Sequence, residues 1–355
     1  MTVGRRIFID ALAARYGGTA YASIEVGRHL ARRSEVEAVT VITRRGSIVE
    51  LGLSTEPAVR CIVLPSPRQF ELIGRAAWEG FRLPSLARRH DCDVVISMSG
   101  MLPRRLDCRV VCLVSNPVVY EDLTLANVIR RWAIRRTAGV AAYLAAPSGV
   151  MAGLVSASAG HPCAVLPWGV NHDAFSPAEA PGEEILCVAD FYRHKRHDVL
   201  LDAWLQLPEP RPRLRLIGNP DVEPGTHASL VARIAMLPER RSISLEYRVS
   251  LDRLVRAYQN ARVFVMASEH ESFCMPLAES MACGVPVVAR DIESLRETSG
   301  DSAIYVAGNS PARWALAMRR MLEDDLEHRR VRELGISRGG RFSWDNVASR
   351  LVSQF

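Results

Sequence analysis

The chain has 355 residues, a length that usually divides into two domains. Hydrophobic residues make up 48% and charged residues 24%, which is ordinary for a globular protein and excludes a disordered or fibrous chain. No apolar run reaches the roughly 18 residues that a transmembrane helix needs, and the net charge of +6 comes from dispersed arginines without a nucleic-acid-binding motif, so we expect no nucleic-acid partner.

The first half alternates short apolar segments with longer amphipathic ones. Its first apolar piece, residues 5–10, is short and flanked by charge, which indicates a β-strand and not a signal peptide. The pattern predicts further strands at 37–43, 60–65, 93–98 and 109–114, and helices at 22–33 and 127–146. Near-continuous apolar strands that alternate with helices are typical of a parallel, doubly wound sheet.

The second half repeats this pattern, which predicts a second Rossmann-like domain. Its predicted strands are 184–190, 213–218, 242–247, 263–268 and 286–290, and its helices 230–237, 251–261 and 310–324. A stretch rich in Pro, Gly, Asn and Asp predicts a linker at 168–183, between domains at 1–167 and 184–338. The amphipathic end of the chain, 339–355, is expected to form a helix that packs back on the first domain.

Cysteine and lysine usage are both informative. The eight cysteines are scattered, without a C-x-x-C pair or zinc spacing, so we expect buried free thiols in a reducing, cytoplasmic setting and no metal site. Of the 45 basic residues, 44 are arginine and one is lysine, Lys195. A composition so biased toward arginine makes the one lysine a candidate functional residue.

Two glutamates, Glu271 and Glu279, stand eight positions apart around a predicted loop and helix. Pro276 suits the first turn of a helix and Gly284 its end, so residues 277–283 are predicted to be a short helix after the strand at 263–268. Glu271 would then lie at the carboxyl end of a strand, where open α/β sheets bind ligands, and Glu279 in or near the first turn of the helix.

The loop before this helix is a candidate anion site. The backbone amides of Cys274 and Met275, with the helix N-terminus, could hold a phosphate without any side chain. From the spacing alone, a solvated acidic loop remains an alternative.

The stretch ESFCMPLAESMACGVPVVA resembles the E-x7-E motif of family-4 retaining glycosyltransferases. That resemblance implies the GT-B fold, an α/β fold in which two Rossmann-like domains with parallel sheets face each other across a central cleft. Besides both glutamates it includes Phe273, Pro276, Met281, Ala282, Gly284 and Pro286. One departure is Cys274, where the family usually has glycine, and a β-carbon there narrows the approach of a donor to the backbone.

Three further stretches resemble the same family in the same order, and together they cover most of the chain. VLPWGVNHDAFSP resembles its inter-domain segment, EILCVADFYRHKRHDVLLDAW its phosphate-binding segment, and RYGGTAYASIEVGRHLARR its N-terminal Gly-Gly loop. The resemblance implies that Lys195 pairs with a donor diphosphate. Asp190 stands where the family often has an arginine that makes a second contact with the phosphate. Either Arg193 or Arg196 could replace that arginine.

The resemblance assigns roles to the other site residues. Glu271, with Lys195, would be catalytic and would bind the sugar hydroxyls, and Glu279 would bind the ribose diol. Tyr247 stands where the family often has a glycine near the nucleotide base. Many family members have a histidine in the N-terminal domain, but this chain has Ser115 and Asn116 in that region and no histidine. The full donor-binding set is Gly17, Gly18, Lys195, Arg196, Arg248, Phe273, Cys274, Met275, Pro276, Leu277 and Glu279.

The implied reaction moves a sugar from a nucleoside diphosphate sugar to an acceptor hydroxyl on a glycan, a lipid-linked sugar or a small molecule, without metal or other cofactor. Alternatives are another GT-B enzyme, such as a nucleotide-sugar epimerase or a phosphorylase, and a non-catalytic sugar-binding relative. Thr19, which follows the two glycines, could cap the helix instead of contacting a ligand.

Two basic segments that contain tryptophan, residues 72–89 and 127–139, leave a second question open. They could be arginine-rich helix faces over the core, or surface helices that meet anionic lipid on the inner face of the membrane.

Overall fold

A computed structural model describes residues 4–14, 17–65, 78–102, 106–121 and 123–355. The chain forms two compact units, Met1–Gly169 with Trp344–Phe355, and Val170–Ser343. The predicted linker region from Val170 onward therefore belongs to the second unit, where Val170 forms a parallel β-bridge with Ser343.

The first unit is built on a seven-stranded sheet in which all neighbours are parallel. Its strands are β1 (Arg5–Asp10), β2 (Val36–Arg44), β3 (Val59–Leu64), β4 (Val94–Ser97), β5 (Arg109–Leu113), β6 (Tyr143–Ala146) and β7 (Ala164–Val165), in the order β3-β2-β1-β4-β5-β6-β7. Its described helices are α1 (Gly17–Ala31), α2 (Ile48–Leu53), α3 (Leu83–Arg89), α4 (Val118–Glu121), α5 (Leu125–Ala138) and α6 (Gly149–Ala159). The parallel doubly wound sheet predicted for this half is confirmed.

One predicted helix in this unit was wrong. Residues 127–146 were expected to form a single helix, but α5 ends at Ala138 and Tyr143–Ala146 is the strand β6. The alanine-rich run has good helix propensity, yet it pairs with β5 and buries Leu144, Ala145 and Ala146 in the sheet. Tertiary pairing overrides local propensity here.

The end of the chain belongs to the first unit. Helix α14 (Trp344–Val352) packs on α1, and Trp344 is fully buried with its ring 5.9 Å from that of Trp168. Arg350 donates a hydrogen bond of 2.7 Å to the carbonyl of Val165. The predicted closing segment starts at 339, whereas α14 starts at Trp344, and the residues up to Ser343 lie in the second unit.

The second unit is built on a six-stranded sheet, again parallel throughout. Its strands are β8 (Glu184–Val188), β9 (Leu214–Ile217), β10 (Ile243–Glu246), β11 (Ala261–Met266), β12 (Val287–Arg290) and β13 (Ala303–Val306), in the order β10-β9-β8-β11-β12-β13. Its helices are α7 (His197–Trp204), α8 (Pro224–Ala235), α9 (Leu251–Gln259), α10 (Met275–Ala282), α11 (Glu293–Ser299), α12 (Pro311–Glu323) and α13 (Asp325–Gly339). The second Rossmann-like pattern is therefore confirmed.

All eight cysteines are free, as expected. Their burial is less uniform than predicted: Cys112, Cys187, Cys274 and Cys283 are buried, and the other four are partly exposed.

Candidate active site

The site is organised by a reversal of strand order in the second unit. From β8 the chain adds strands on one side, through β9 to β10, and from β11 it adds them on the other side. The loops that follow the two central strands, β8 and β11, therefore run to opposite sides. Where such loops diverge, an open parallel sheet leaves a crevice outside the carboxyl ends of its strands. Lys195 follows β8 and Glu271 follows β11, so the topology delivers both residues to this crevice.

Lys195 and Glu271 form an ion pair there. The Nζ atom of Lys195 donates to Oε1 of Glu271 at 2.6 Å, and the two side chains are only 17% and 10% exposed. Burial lowers the pKa of Lys195, but the charge and hydrogen bond of Glu271 more than offset this and raise it. The ammonium group is therefore charged at neutral pH and available to an anion.

Asp190 adds a second carboxylate to this pair. It lies just after β8 and accepts a hydrogen bond of 3.0 Å from the backbone N–H of Asn219. Burial raises the pKa of Asp190, while that hydrogen bond and the charge of Lys195 act in the opposite direction. Lys195 is thus the cation that compensates two carboxylates at the switch point.

Cys274 stands at the start of α10 with φ 64°, in the left-handed region that favours glycine. The side chain is buried, and burial followed by the charge of Glu271 raises the pKa of its thiol. The carbonyl of Cys274 accepts the N–H groups of Leu277 and Ala278, at 3.1 and 3.3 Å, as the helix begins. Before them Pro276 has no N–H, so an anion at this helix N-terminus would be bound by the N–H groups of Cys274 and Met275.

Glu279 is placed differently from the prediction. Because α10 begins at Met275, two residues earlier than expected, Glu279 lies in its second turn. Its side chain is buried, and Oε2 accepts a hydrogen bond of 2.9 Å from the hydroxyl of Tyr258. Burial, then the charge of Glu279, raises the pKa of Tyr258 well above its usual range. Tyr258, on α9, is a site residue that the sequence analysis missed.

Three of the predicted loop residues mainly support the site. Leu277 is fully buried in the core, so its side chain does not line the crevice. Phe273 is also buried: its ring meets that of Phe342 at 5.1 Å, and its carbonyl accepts the hydroxyl of Thr298 at 2.7 Å. The carbonyl of Pro276 accepts the Tyr258 hydroxyl at 3.2 Å. These contacts fix the backbone path of the loop.

Arg196 is held by two carboxylates. It caps α7 with φ 54°, donates to Asp198 at 2.8 and 3.0 Å, and donates to Glu269 at 2.7 Å. Glu269 also accepts the amide of Asn309 at 3.3 Å. The network joins the loop after β8 to the loop after β11, and the structure thus places Arg196 in a bracing role beside Lys195.

Arg248 lies on the exposed surface after β10, paired with Asp221 at 2.5 Å. The hydroxyl of its neighbour Tyr247 is hydrogen-bonded to Nε2 of His227 at 2.8 Å. The rings of Tyr247 and His227 both pack edge-on against that of Phe191. This aromatic cluster follows β8 and β10 and offers flat surfaces beside the crevice.

The histidines near Lys195 are neutral at pH 7. Burial, followed by the charge of Lys195, lowers the pKa of both His194 and His197 to about 4. His197 packs its ring at 4.8 Å from that of Phe191.

The predicted glycine pair lies in the first unit. Gly17 starts α1 with φ 67°, and Gly18 follows it on the exposed surface, while the two residues before them are outside the described part of the chain. Thr19 lies inside the helix rather than at its cap, and its hydroxyl is 2.9 Å from that of Ser115. Strand order in this unit reverses between β1 and β4, so the glycines also follow a switch strand.

Within the described residues, no group of three His, Cys, Asp or Glu side chains has the geometry of a metal site. Among the helices within these same ranges, none has the length and apolarity needed to cross a membrane.

Solved structures with this fold include glycosyltransferases of the GT-B class, which confirms the predicted fold. Sucrose-phosphate synthase from Thermosynechococcus elongatus is 19% identical, with a TM-score of 0.80 over 98% of this chain and 97% of that one. Anabaena HepE, solved in complex with UDP-glucose, is 15% identical, with a TM-score of 0.81 over 98% of each chain. At such low sequence identities, the structural similarity establishes the fold.

Family models identify the two halves more narrowly. Residues 16–174 match the model described as Glycosyltransferase Family 4, and residues 171–338 match Glycosyl transferases group 1. The chain belongs to the glycosyltransferase family that these two models describe.

Curated relatives agree with this assignment. D-inositol 3-phosphate glycosyltransferase of Corynebacterium urealyticum is 33% identical over 178 residues, which are 47% of this chain and 41% of that protein. Its counterpart from Acidothermus cellulolyticus is 29% identical over 211 residues, 54% of this chain and 47% of that protein. The alignments thus span about half the length of the curated relatives.

Proposed function

We propose that this protein is a retaining glycosyltransferase that moves a sugar from a nucleoside diphosphate sugar to an acceptor hydroxyl. The observation that carries the proposal is the Lys195–Glu271 pair at the switch point of the second unit, next to the N-terminus of α10. A cation, a carboxylate and backbone amides at one crevice suit the three parts of such a donor: the diphosphate, the sugar and the departing oxygen.

The diphosphate is the leaving group, and its charge grows as the glycosidic bond breaks. Lys195 and the backbone N–H groups of Cys274 and Met275 stabilise that charge electrostatically. They supply positive charge in the place where other transferases use a metal ion, so the proposed reaction is metal-independent.

The two glutamates bind hydroxyl groups. Glu271 accepts hydrogen bonds from the sugar and, through its pairing with Lys195, orients the sugar relative to the diphosphate. Glu279 accepts from the ribose diol, held in position by the Tyr258 hydroxyl. The aromatic cluster of Phe191, His227 and Tyr247 borders the base.

The acceptor belongs to the class of polyols: a glycan, a glycolipid, or a small molecule such as the inositol phosphate named for the curated relatives.

A thermal-shift panel of UDP, GDP and ADP, each free and as its glucose or mannose ester, tests donor binding. One base series should stabilise the protein, by about 2.7 kcal/mol when the ligand is at a hundred times its Kd. Proton NMR of the product formed from the best donor should then show the donor's anomeric configuration retained. No stabilisation by any nucleotide, or an inverted product, would contradict the proposal.

A further inference from the structure

Helix α5 has an unusual distribution of side chains. Its apolar residues at helical spacing face outward: Leu125, Val128, Ile129 and Trp132 are 76%, 46%, 46% and 58% exposed. A surface helix normally turns such a stripe toward the core. This stripe, with the adjoining Leu123, is called the α5 apolar face below.

The opposite side of α5 fixes it to the first unit through polar residues. The Asn127 amide donates to the carbonyl of Val118 at 3.0 Å. The Thr137 hydroxyl accepts the backbone N–H of Leu102 at 2.8 Å and is 3.3 Å from its carbonyl. Asn127, Ile134, Thr137 and Ala138 are the buried residues of the helix. Because specific hydrogen bonds hold this orientation, the outward apolar face is a built feature.

Helix α5 itself carries charge of one sign. It contains four arginines and neither aspartate nor glutamate, whereas Glu121 and Asp122 lie just before Leu123 in the sequence. Arg135 and Arg136 are exposed in its last turns, and the Arg136 guanidinium lies 4.9 Å from the Trp132 ring centre.

We propose that the α5 apolar face docks on an anionic lipid bilayer. Exposed aliphatic groups gain free energy by entering the boundary between headgroups and acyl chains, tryptophan favours that boundary, and flanking arginines bind anionic headgroups. A surface that only faces water needs none of these features. The docking does not depend on the reaction proposed above.

Sedimentation with vesicles tests this docking on the full chain. Vesicles of phosphatidylcholine mixed with phosphatidylglycerol should bind the protein, vesicles of phosphatidylcholine alone should bind it far more weakly, and added salt should weaken the binding. Arg135→Gln with Arg136→Gln should lower binding about thirtyfold, the factor that two cations near an anionic surface contribute. Ile129→Ser with Trp132→Ser should lower it at least about tenfold.

Controls separate docking from loss of structure. Leu316→Ser changes an equally exposed leucine, 69% exposed on α12 in the second unit, and should leave vesicle binding unchanged. Every altered residue is at least partly exposed, so the unfolding temperatures should match the wild type. Brominated lipid should quench tryptophan fluorescence in the wild type and much less in Trp132→Phe, although Trp132→Phe still binds.

Three results would overturn the proposal. The first is absence of binding to anionic vesicles, and the second is an equal loss of binding in Leu316→Ser. The third is a protein that does not bind vesicles but forms a dimer in sedimentation velocity, which Trp132→Ser dissociates. The last would assign the face to a second copy of the chain.

Discussion

At the scale of single residues, the main finding is that Lys195 is already paired before any donor arrives. Its ammonium is 2.6 Å from Glu271, and Asp190 adds a second negative charge nearby. A diphosphate must therefore share Lys195 with Glu271 or displace it. Under the proposed function, this competition would couple the group that binds phosphate to the group that binds sugar, which a pair of separate surface charges would not do.

Cys274 gives a residue-scale prediction about backbone strain. A side chain at φ 64° costs about 1 kcal/mol or more, which glycine avoids, whereas alanine keeps the β-carbon and loses the buried thiol. Cys274→Gly should therefore be more stable than Cys274→Ala by about 1 kcal/mol, measured by urea unfolding. Equal stability of the two variants, or a more stable alanine variant, would show that the conformation is not strained.

At the scale of helices and strands, a buried hydrogen bond connects α9 to α10. Tyr258→Phe removes the donor to Glu279 and leaves a buried carboxylate with one partner fewer, which should cost about 1–3 kcal/mol of unfolding free energy. Tyr247→Phe removes a hydroxyl bonded to His227 on the exposed surface and should change stability by less than about 0.5 kcal/mol. Urea unfolding of the two variants measures both losses of stability. Similar midpoints for the two variants would mean that the buried hydrogen bond contributes little to stability.

Sequence patterns predicted most of the strands, whose core residues are large and apolar. They missed α13, whose buried positions are His328, Val331, Gly335 and Gly339. Gly339 packs so closely that a β-carbon would lie 2.8 Å from the backbone of Ala282. A helix that meets its neighbour through glycines has no apolar periodicity, so the sequence gives little signal of it.

The site was partly predictable for a similar reason. Lys195 and Glu271 follow strands, and the rule that ligands bind at the carboxyl ends of strands brings them to one edge. Tyr258 faces Glu279 through packing between two consecutive helices, α9 and α10, and the contacts of Arg196 depend on its left-handed backbone. Neither property is encoded in local residue spacing.

At the scale of the whole molecule, neutral buried histidines should make stability depend on pH. Burial, then the charge of Lys195, lowers the pKa of His197 to about 4. Between about pH 4 and the ordinary value near 6.5, the unfolded chain binds a proton that the folded chain does not, so stability falls as pH falls through this window.

Urea unfolding should show this loss as about 2 kcal/mol from His197 between roughly pH 7.5 and pH 5, with His194 acting in the same direction. His197→Gln should flatten the dependence, while His161→Gln, at an exposed position, should leave it as in the wild type. A wild-type stability that is constant over this range would mean that His197 is protonated as easily in the folded protein as in the unfolded chain.

Calorimetric titration with the nucleoside diphosphate that binds best tests the proposal that the Lys195–Glu271 pair forms the donor site. Lys195→Met keeps the aliphatic stem but removes the charge, and it should weaken binding about 10- to 100-fold, since hydrogen bonds to charged groups contribute about 1.5–3 kcal/mol. Arg319→Met, which removes an exposed charge on α12, should leave the Kd unchanged. An unchanged Kd in Lys195→Met would show that Lys195 does not bind the diphosphate.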